Sequence, residues 1–277
     1  MKKLAFEIGV QKVCYVLLEG DTRKKEGNWE GIKNKDTLLS KIAKIIKELG
    51  EPGISVRISS PTSVNSKTGY CHGLSGIKGY ANFNIYDELS NLVPFDMDLK
   101  VINDANAALM GILNTDFNKK PHSAIMISIG TGVGGSLFID GKIMEGYNYV
   151  AGEIGYPIWK GKKNVSQALS PYNRFKKEYK ATKGDIFKDY LVDRDITDRI
   201  NKWAYEMVSF ISFYSFCINP EVIVFSGEIT KNKTFQMLIT SMYEKYLETN
   251  YLTGFSKTKI AFIEGDTNYS LEGVIAL

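Results

Sequence analysis

Residues 129–135 read Ile-Gly-Thr-Gly-Val-Gly-Gly, and four glycines in seven positions constrain this chain more than any other stretch. The run satisfies the G-x-G-x-x-G spacing of dinucleotide sites, but such a site needs a strand before the glycines and a helix after them. Here AIMISI precedes and SLFIDGKI follows, both strand-like, the second ending in an Asp-Gly turn. The context is a hairpin. Glycines there free the backbone for φ > 0 and leave N–H groups bare, which lets a chain cup a phosphate without a side chain. A plain hairpin needs one or two glycines rather than four. The phosphate cradle is therefore preferred to a ligand-free turn.

Bulk properties narrow the class. The 277 residues suffice for one large or two modest domains, and 44% hydrophobic with 24% charged residues is a globular composition. Net charge is +4, but the lysines are scattered and form no stripe that would announce nucleic acid. Cys14, Cys71 and Cys217 are far apart, with no C-x-x-C, so neither a disulfide framework nor a zinc ribbon is indicated. Cys14 and Cys217 read as small apolar packing groups. The opening KLAFEIG is a strand, too short and too acidic for a signal peptide, and no apolar run approaches a membrane span. The cytoplasm is the expected location.

Along the chain, LAFEIG and VCYVLLEG read as a strand pair. Leu38, Leu39, Ile42, Ile45, Ile46 and Leu49 recur at helical spacing until Gly50 and Pro52. GISVRISS and LKVIND are strands, NIYDELSNLV and ANAALMGIL helices. The order then restarts with the glycine hairpin, a loop-rich stretch over 147–171, and a long helix over 193–217. A strand EVIVFSG, an amphipathic helix TFQMLITSMYEKYLE, a strand KIAFIEG and a final helical start SLEGVIAL follow. Two halves that each open with a hairpin and continue with alternating helices and strands predict two α/β domains with mixed sheets. The boundary falls where NTDFNKKPH interrupts helical spacing, giving domains 1–112 and 113–267, with the helix from about residue 268 able to pack back onto the first.

Histidine is nearly absent, and His72 and His122 both lie in loop-like sequence, so carboxylates must carry acid–base work. Asp104, in Asn103-Asp104-Ala105-Asn106, falls where a strand ends and a helix begins, the place where open α/β sheets put their sites. An ordinary helix N-cap is the competing reading for it. Glu153 sits among small residues in GEIGY, and a surface Glu is the competing reading there. Lys12 follows the first hairpin turn, and Gly227 repeats the strand-then-glycine theme. Three such turns (Gly9, residues 130–135, Gly227) and one strand-end carboxylate suit phosphoryl transfer, which needs phosphate cradles and a positioned nucleophile. The Walker and protein-kinase motifs are missing.

The order of these motifs resembles the ROK family of bacterial sugar kinases, within the actin-like ATPase fold. EIGVQK looks like the family's first phosphate motif, SSPTSVNSKTG its substrate loop, and VINDANAA its catalytic motif. IGTGVGGSLFIDGKI is similar to its second phosphate hairpin, AGEIGY to its sugar loop, and NPEVIVFSGEI to its nucleotide-side turn. The resemblance implies an α/β fold of two actin-like (ribonuclease H-like) domains whose mixed sheets face a central cleft. It implies Asp104 as the general base toward a sugar hydroxyl, most often that on C6, with Asn82, Asn103 and Glu153 binding the sugar. Gly9, Gln11, Lys12, Gly130, Thr131, Gly132, Gly134 and Gly135 would hold the phosphates of ATP, and Gly227 would lie beside the nucleotide. Mg2+ is implied near Glu7, directly or through water.

The departures from the family pattern lie at Glu7, where Asp is usual, and at Val10 and Gln11, where Gly-Thr is usual. A β-branched Val10 disfavours φ > 0 and predicts an altered turn. Tyr156 replaces a zinc-binding His and the Cys cluster is missing, so no structural zinc is expected. Three functions compete. An ATP-dependent sugar kinase acting on a small-molecule hexose or N-acetylhexosamine is favoured, as a cytoplasmic homodimer without nucleic-acid or membrane partners. A catalytically weak sugar- or nucleotide-binding protein is the first alternative, motivated by EIGVQK. A sugar-responsive regulator is the second; its helix-turn-helix would precede Glu7, where the sequence leaves no room for one.

Overall fold

The computed structural model describes residues 2–73, 75–182 and 185–277. The chain divides into two compact units. Unit 1 runs to Asn118 and adds Gly146–Val150 and Thr267–Leu277; unit 2 comprises Lys119–Glu145 and Ala151–Asp266.

Unit 1 opens with strands β1 (Lys2–Ile8), β2 (Lys12–Glu19) and β3 (Thr22–Glu30), then helix α1 (Lys35–Leu49) and strand β4 (Ile54–Ser60). Short strands β5 (Ser63–Asn65), β6 (Tyr70–His72) and β7 (Phe83–Asn84) lead to α2 (Ile85–Leu92), β8 (Met97–Asn103) and α3 (Asp104–Thr115). The main sheet has the order β3-β2-β1-β4-β8. Its first three strands form an antiparallel meander, and β4 and β8 run parallel to β1. Period-2 alternation sorts the side chains of β1. Leu4, Phe6 and Ile8 join Leu39, Ile42 and Ile46 of α1 in one core, while Ala5 turns to the opposite face with Ile102, Ala107, Leu271 and Val274.

That second face is covered by α3 and the C-terminal helix Tyr269–Ile275. The two helices meet backbone to backbone at glycines. A Cβ on Gly111 would fall 2.0 Å from the Tyr269 carbonyl oxygen, and one on Gly273 would fall 1.8 Å from that of Ala107.

Unit 2 contains β9 (Ala124–Ile129), β10 (Val133–Ile139), β11 (Lys142–Ile143), β12 (Ile158–Lys160) and β13 (Lys163–Asn164). Helices α4 (Val165–Leu169), α5 (Pro171–Arg174), α6 (Lys176–Ala181) and α7 (Arg194–Cys217) follow, then β14 (Val222–Ser226), α8 (Lys233–Thr249) and β15 (Lys259–Phe262). Its main sheet, β11-β10-β9-β14-β15, repeats the plan of unit 1, with an antiparallel meander beside two parallel strands. Trp203 anchors the core against Phe175 and Phe235, and its indole N–H donates to the Leu169 carbonyl at 2.9 Å. A buried indole needs such a partner.

Several local expectations change. TRKKEGNWE forms β3, which periodicity does not reveal because this edge strand is mostly exposed and carries charge on both faces. His72 lies in β6 rather than in a loop, and the stretch 147–171 holds β12, β13 and α4. Cys217 ends α7 on its exposed side, while Tyr214 and Ser215 of the same turn face the core; Cys14 is half-buried beside Glu7. Among the described residues no helix is long and apolar enough to cross a membrane.

Gly111→Ala is expected to push the C-terminal helix off α3 and cost about 1–3 kcal/mol, the usual penalty of overpacking. Urea unfolding at constant m-value checks this; an unchanged midpoint would contradict the close approach.

Candidate active site

In unit 1 three parallel strands end together. The register pairs Glu7 with Ser59, and Ser60 with Asn103. Asp104 therefore begins α3 at the carboxyl edge of the sheet, one strand removed from Glu7. The helix start is built by Asn103, not by Asp104. Asn103 Oδ1 accepts from the N–H groups of Ala105 and Asn106 at 2.9 and 3.1 Å, an N-cap arrangement. Its amide nitrogen donates to the Thr62 carbonyl (3.1 Å) and to Asp104 Oδ1 (3.0 Å). The Asn103 side chain is thus engaged at both ends in holding the acid.

Asp104 Oδ1 also accepts from the Ala105 N–H at 2.8 Å. Its second oxygen has no protein partner among the described residues. Burial pushes its pKa above the ordinary aspartate value, against the hydrogen bonds from Ala105 and Asn103. Glu7 behaves alike: burial raises its pKa and the Asp104 charge adds to this, while the Asn268 hydrogen bond and Lys12 oppose it. Both acids are braced from the C-terminal helix. Asn268 Nδ2 reaches Glu7 Oε2 at 3.4 Å, and Ser270 Oγ donates to the Asp104 carbonyl at 3.1 Å.

The turn after β1 closes with the Gly9 N–H donating to the Lys12 carbonyl at 2.9 Å. Neither Val10 nor Gln11 takes φ > 0. The substituted motif therefore makes its turn without left-handed backbone, and the Val10 side chain lies over Gly76, where an added Cβ would come within 2.7 Å of it. Gln11 and Lys12 are exposed, and the Lys12 ammonium has no ion pair among the described residues. Asn82 is exposed at φ 56°, two residues after the buried Tyr80, whose hydroxyl accepts from Ser60 Oγ at 3.3 Å. No hydrogen bond joins Asn82 to Asp104.

In unit 2 the glycines of residues 130–135 do not take positive φ. Of the four, Gly135 alone leaves no room for a side chain. A Cβ on Gly130 or Gly134 would meet nothing within 4 Å, whereas one on Gly135 would strike Ile154 at 2.5 Å. The GEIG loop lies directly on β10: a Cβ on Gly155 would fall 1.9 Å from the Val133 carbonyl oxygen, and Gly152 (φ 92°) sits against Ser136. Glu153 is thereby carried beside the hairpin. Gly227 (φ 112°) brings the turn after β14 against Ile129, with an added Cβ 2.2 Å from its carbonyl oxygen. So the structure assembles the hairpin, the Glu153 loop and the Gly227 turn.

The hairpin tip is pinned from behind. Ser166 Oγ accepts from the Val133 N–H (3.0 Å) and donates to its carbonyl (2.9 Å). Ser170 Oγ donates to the Gly130 carbonyl (2.7 Å), and Asn173 Nδ2 to that of Thr131 (3.0 Å). With the carbonyls tied down, the Thr131 and Gly132 N–H groups have no protein acceptor among the described residues. Two fixed donors beside open glycines have the form of an anion cradle. Sequence reading does not find these braces: Ser166 and Asn173 lie on short helices without strong periodicity, and Ser170 lies between them. Asn268 and Ser270 carry only the weak signal of an N-cap before SLEGVIAL.

The comparisons with known proteins agree with this architecture. Over 254 residues the chain is 25% identical to a β-glucoside kinase of Listeria innocua, covering 85% of each chain. A ROK family protein of Streptococcus pneumoniae solved with sucrose superposes at a TM-score of 0.81, with 21% identity over 99% of this chain and 96% of that one. A ROK family glucokinase of Streptomyces griseus, solved with glucose and AMPPNP, gives 0.71 and 17% over 99% and 98%. These likenesses establish the two-domain actin-like fold, and the ROK family model matches residues 3–266, so the chain belongs to the ROK family.

Proposed function

We propose that this ROK protein is an ATP-dependent sugar kinase that transfers the γ-phosphoryl group to a hydroxyl, with C6 the expected position, of a hexose or N-acetylhexosamine. The observation that carries the reading is the Asp104 carboxylate: one oxygen held by Asn103 and Ala105, the other without a protein partner, in surroundings that raise its proton affinity. The names of the relatives, and the glucose and AMPPNP in the Streptomyces glucokinase, support it.

In this mechanism Asp104 Oδ2 accepts the hydroxyl proton as the sugar oxygen attacks the γ-phosphorus of ATP, and ADP leaves. Asn103 fixes the carboxylate and reaches sugar only by exchanging one of its own bonds. Asn82 and Glu153 bind sugar hydroxyls. The Thr131 and Gly132 N–H groups, the open glycines Gly130, Gly134 and Gly135, and on unit 1 Gly9, Gln11 and Lys12, hold phosphate oxygens. Gly227 borders the nucleotide. A divalent cation fits the acid pair, because burial and the charge of Asp104 together disfavour an ionised Glu7 and a bound cation would offset both. Magnesium would be held by Glu7, directly or through water, and by the ATP phosphates, and would supply charge neutralisation. The protein is read as a cytoplasmic homodimer.

A weak or inactive sugar-binding protein is the second reading, favoured by Glu7, Val10 and Gln11. The turn's regular closure at Gly9 and the partner-free oxygen of Asp104 argue against it.

Coupled measurement of ADP release over hexoses and N-acetylhexosamines tests the proposal. Asp104→Asn is expected to lower kcat by about 10²–10⁴-fold, the usual share of a general base, with sugar KM little changed. Nucleotide binding without turnover on any sugar would instead support the second reading. Protonation of Asp104 removes the base, so kcat/KM should fall as pH drops through its raised pKa. The acid limb should therefore lie above the ordinary aspartate value; a limb at or below it would contradict the burial argument. Ser166→Ala should raise the ATP KM by about 3–10-fold, the equivalent of about one lost hydrogen bond, and speed hydrogen exchange at the Val133 amide.

A further inference from the structure

A pocket of about 720 Å³ opens on unit 1 beside the small sheet β5-β6-β7; none of the residues given individual roles above lines it, although Asn65 and Thr68 fall in the SSPTSVNSKTG segment. Three rings border it: Tyr70, His72 stacked on it with centroids 6.3 Å apart, and Tyr149, whose ring meets His72 edge-on at 6.3 Å. Tyr149 is held at φ 59°, an uncommon conformation for an aromatic residue. Three amides, Asn65, Asn84 and Asn148, complete the wall.

Two of these amides are pre-oriented by the backbone. Asn65 Oδ1 accepts from the N–H groups of Lys67 and Thr68, both at 3.1 Å. Asn84 Oδ1 caps α2 through Tyr86 and Asp87 at 2.9 and 3.4 Å. With the oxygens engaged, the nitrogens of both side chains have no protein acceptor among the described residues. Among the described residues no Asp, Glu, Lys or Arg lines the pocket. Fixed amide donors and ring faces, without formal charge from acids or strong bases, suit a neutral ligand rich in oxygen acceptors and with an apolar face. A pyranose ring has that chemistry; a phosphate or a carboxylate does not.

The pocket is close to the acid site along the chain. Asn65 follows Thr62 by three residues, at most about 11 Å of extended backbone, and the Thr62 carbonyl is bonded to Asn103. We propose that this pocket is a second carbohydrate subsite that takes a neutral pyranose ring. The ring is either the distal unit of a glycoside whose first unit lies at Asp104, or a free sugar. The first source rests on the kinase reading; occupancy of the pocket does not.

Equilibrium binding to the full chain separates the cases. Calorimetric titration with hexoses, N-acetylhexosamines and their α- and β-linked disaccharides compares the natural protein with Tyr70→Ala and Asn84→Ser. Serine retains the helix cap while removing the amide donor, and Tyr70 is 42% exposed, so its truncation opens no core cavity. Melting curves verify that both variants fold. A distal-ring site predicts disaccharide binding weakened at least about tenfold with monosaccharide binding unchanged. A free-sugar site predicts loss of one of two monosaccharide equivalents. Unaltered affinity for every carbohydrate in both variants, or an effect confined to ATP, would overturn the proposal. Failure of turnover with the binding differences intact would remove the kinase reading and leave the subsite standing.

Discussion

Direct contact between backbones, made possible by missing Cβ atoms, is the constraint on which the site depends. In unit 2 the backbone of the GEIG loop rests on β10 through Gly152 and Gly155, and the turn after β14 rests on Ile129 through Gly227. In unit 1, α3 and the C-terminal helix touch through Gly111 and Gly273. Each contact leaves room for main chain and nothing more, so the positions of the hairpin tip, Glu153 and the helix carrying Asp104 follow from packing geometry rather than from long flexible side chains. Tightly packed interiors transmit small displacements, which makes such contacts effective rulers.

The acid pair shows the opposite economy. Glu7 and Asp104 are both held where burial disfavours their charge. A carboxyl whose folded pKa exceeds its unfolded value stabilises the fold fully below the unfolded pKa. That contribution is lost as pH rises through the folded pKa. At neutral pH both groups therefore weaken the fold to which Asn103, Asn268 and Ser270 bind them. Strain of this kind is the ordinary cost of a reactive site, and neutralising it trades activity for stability.

Much of the architecture is visible in the chain itself. The strand-glycine-strand context of residues 129–135, the helical spacing of α1 and α7, and the strand-to-helix passage at Asp104 each follow from local patterns. β3 escapes because an exposed, charged edge strand shows no apolar alternation. The role of the hairpin glycines is misjudged because clearance for a neighbouring loop and left-handed backbone leave the same residue type in the sequence; only the coordinates distinguish them. The assignment of the N-cap to Asn103 rather than Asp104 turns on a single residue of phase at a helix start. The braces Ser166, Ser170, Asn173, Asn268 and Ser270 are distant in sequence from what they hold, and one sequence carries no signal for such pairs.

The helix over Tyr269–Ile275 belongs to unit 1 yet follows the whole of unit 2 along the chain. During synthesis, then, the first sheet must wait with one apolar face covered by α3 alone while well over a hundred further residues are made. Domains usually fold in the order in which they emerge, but here the earlier one can reach its final form only after the later one has been translated. Contacts of such long sequence separation form late in folding.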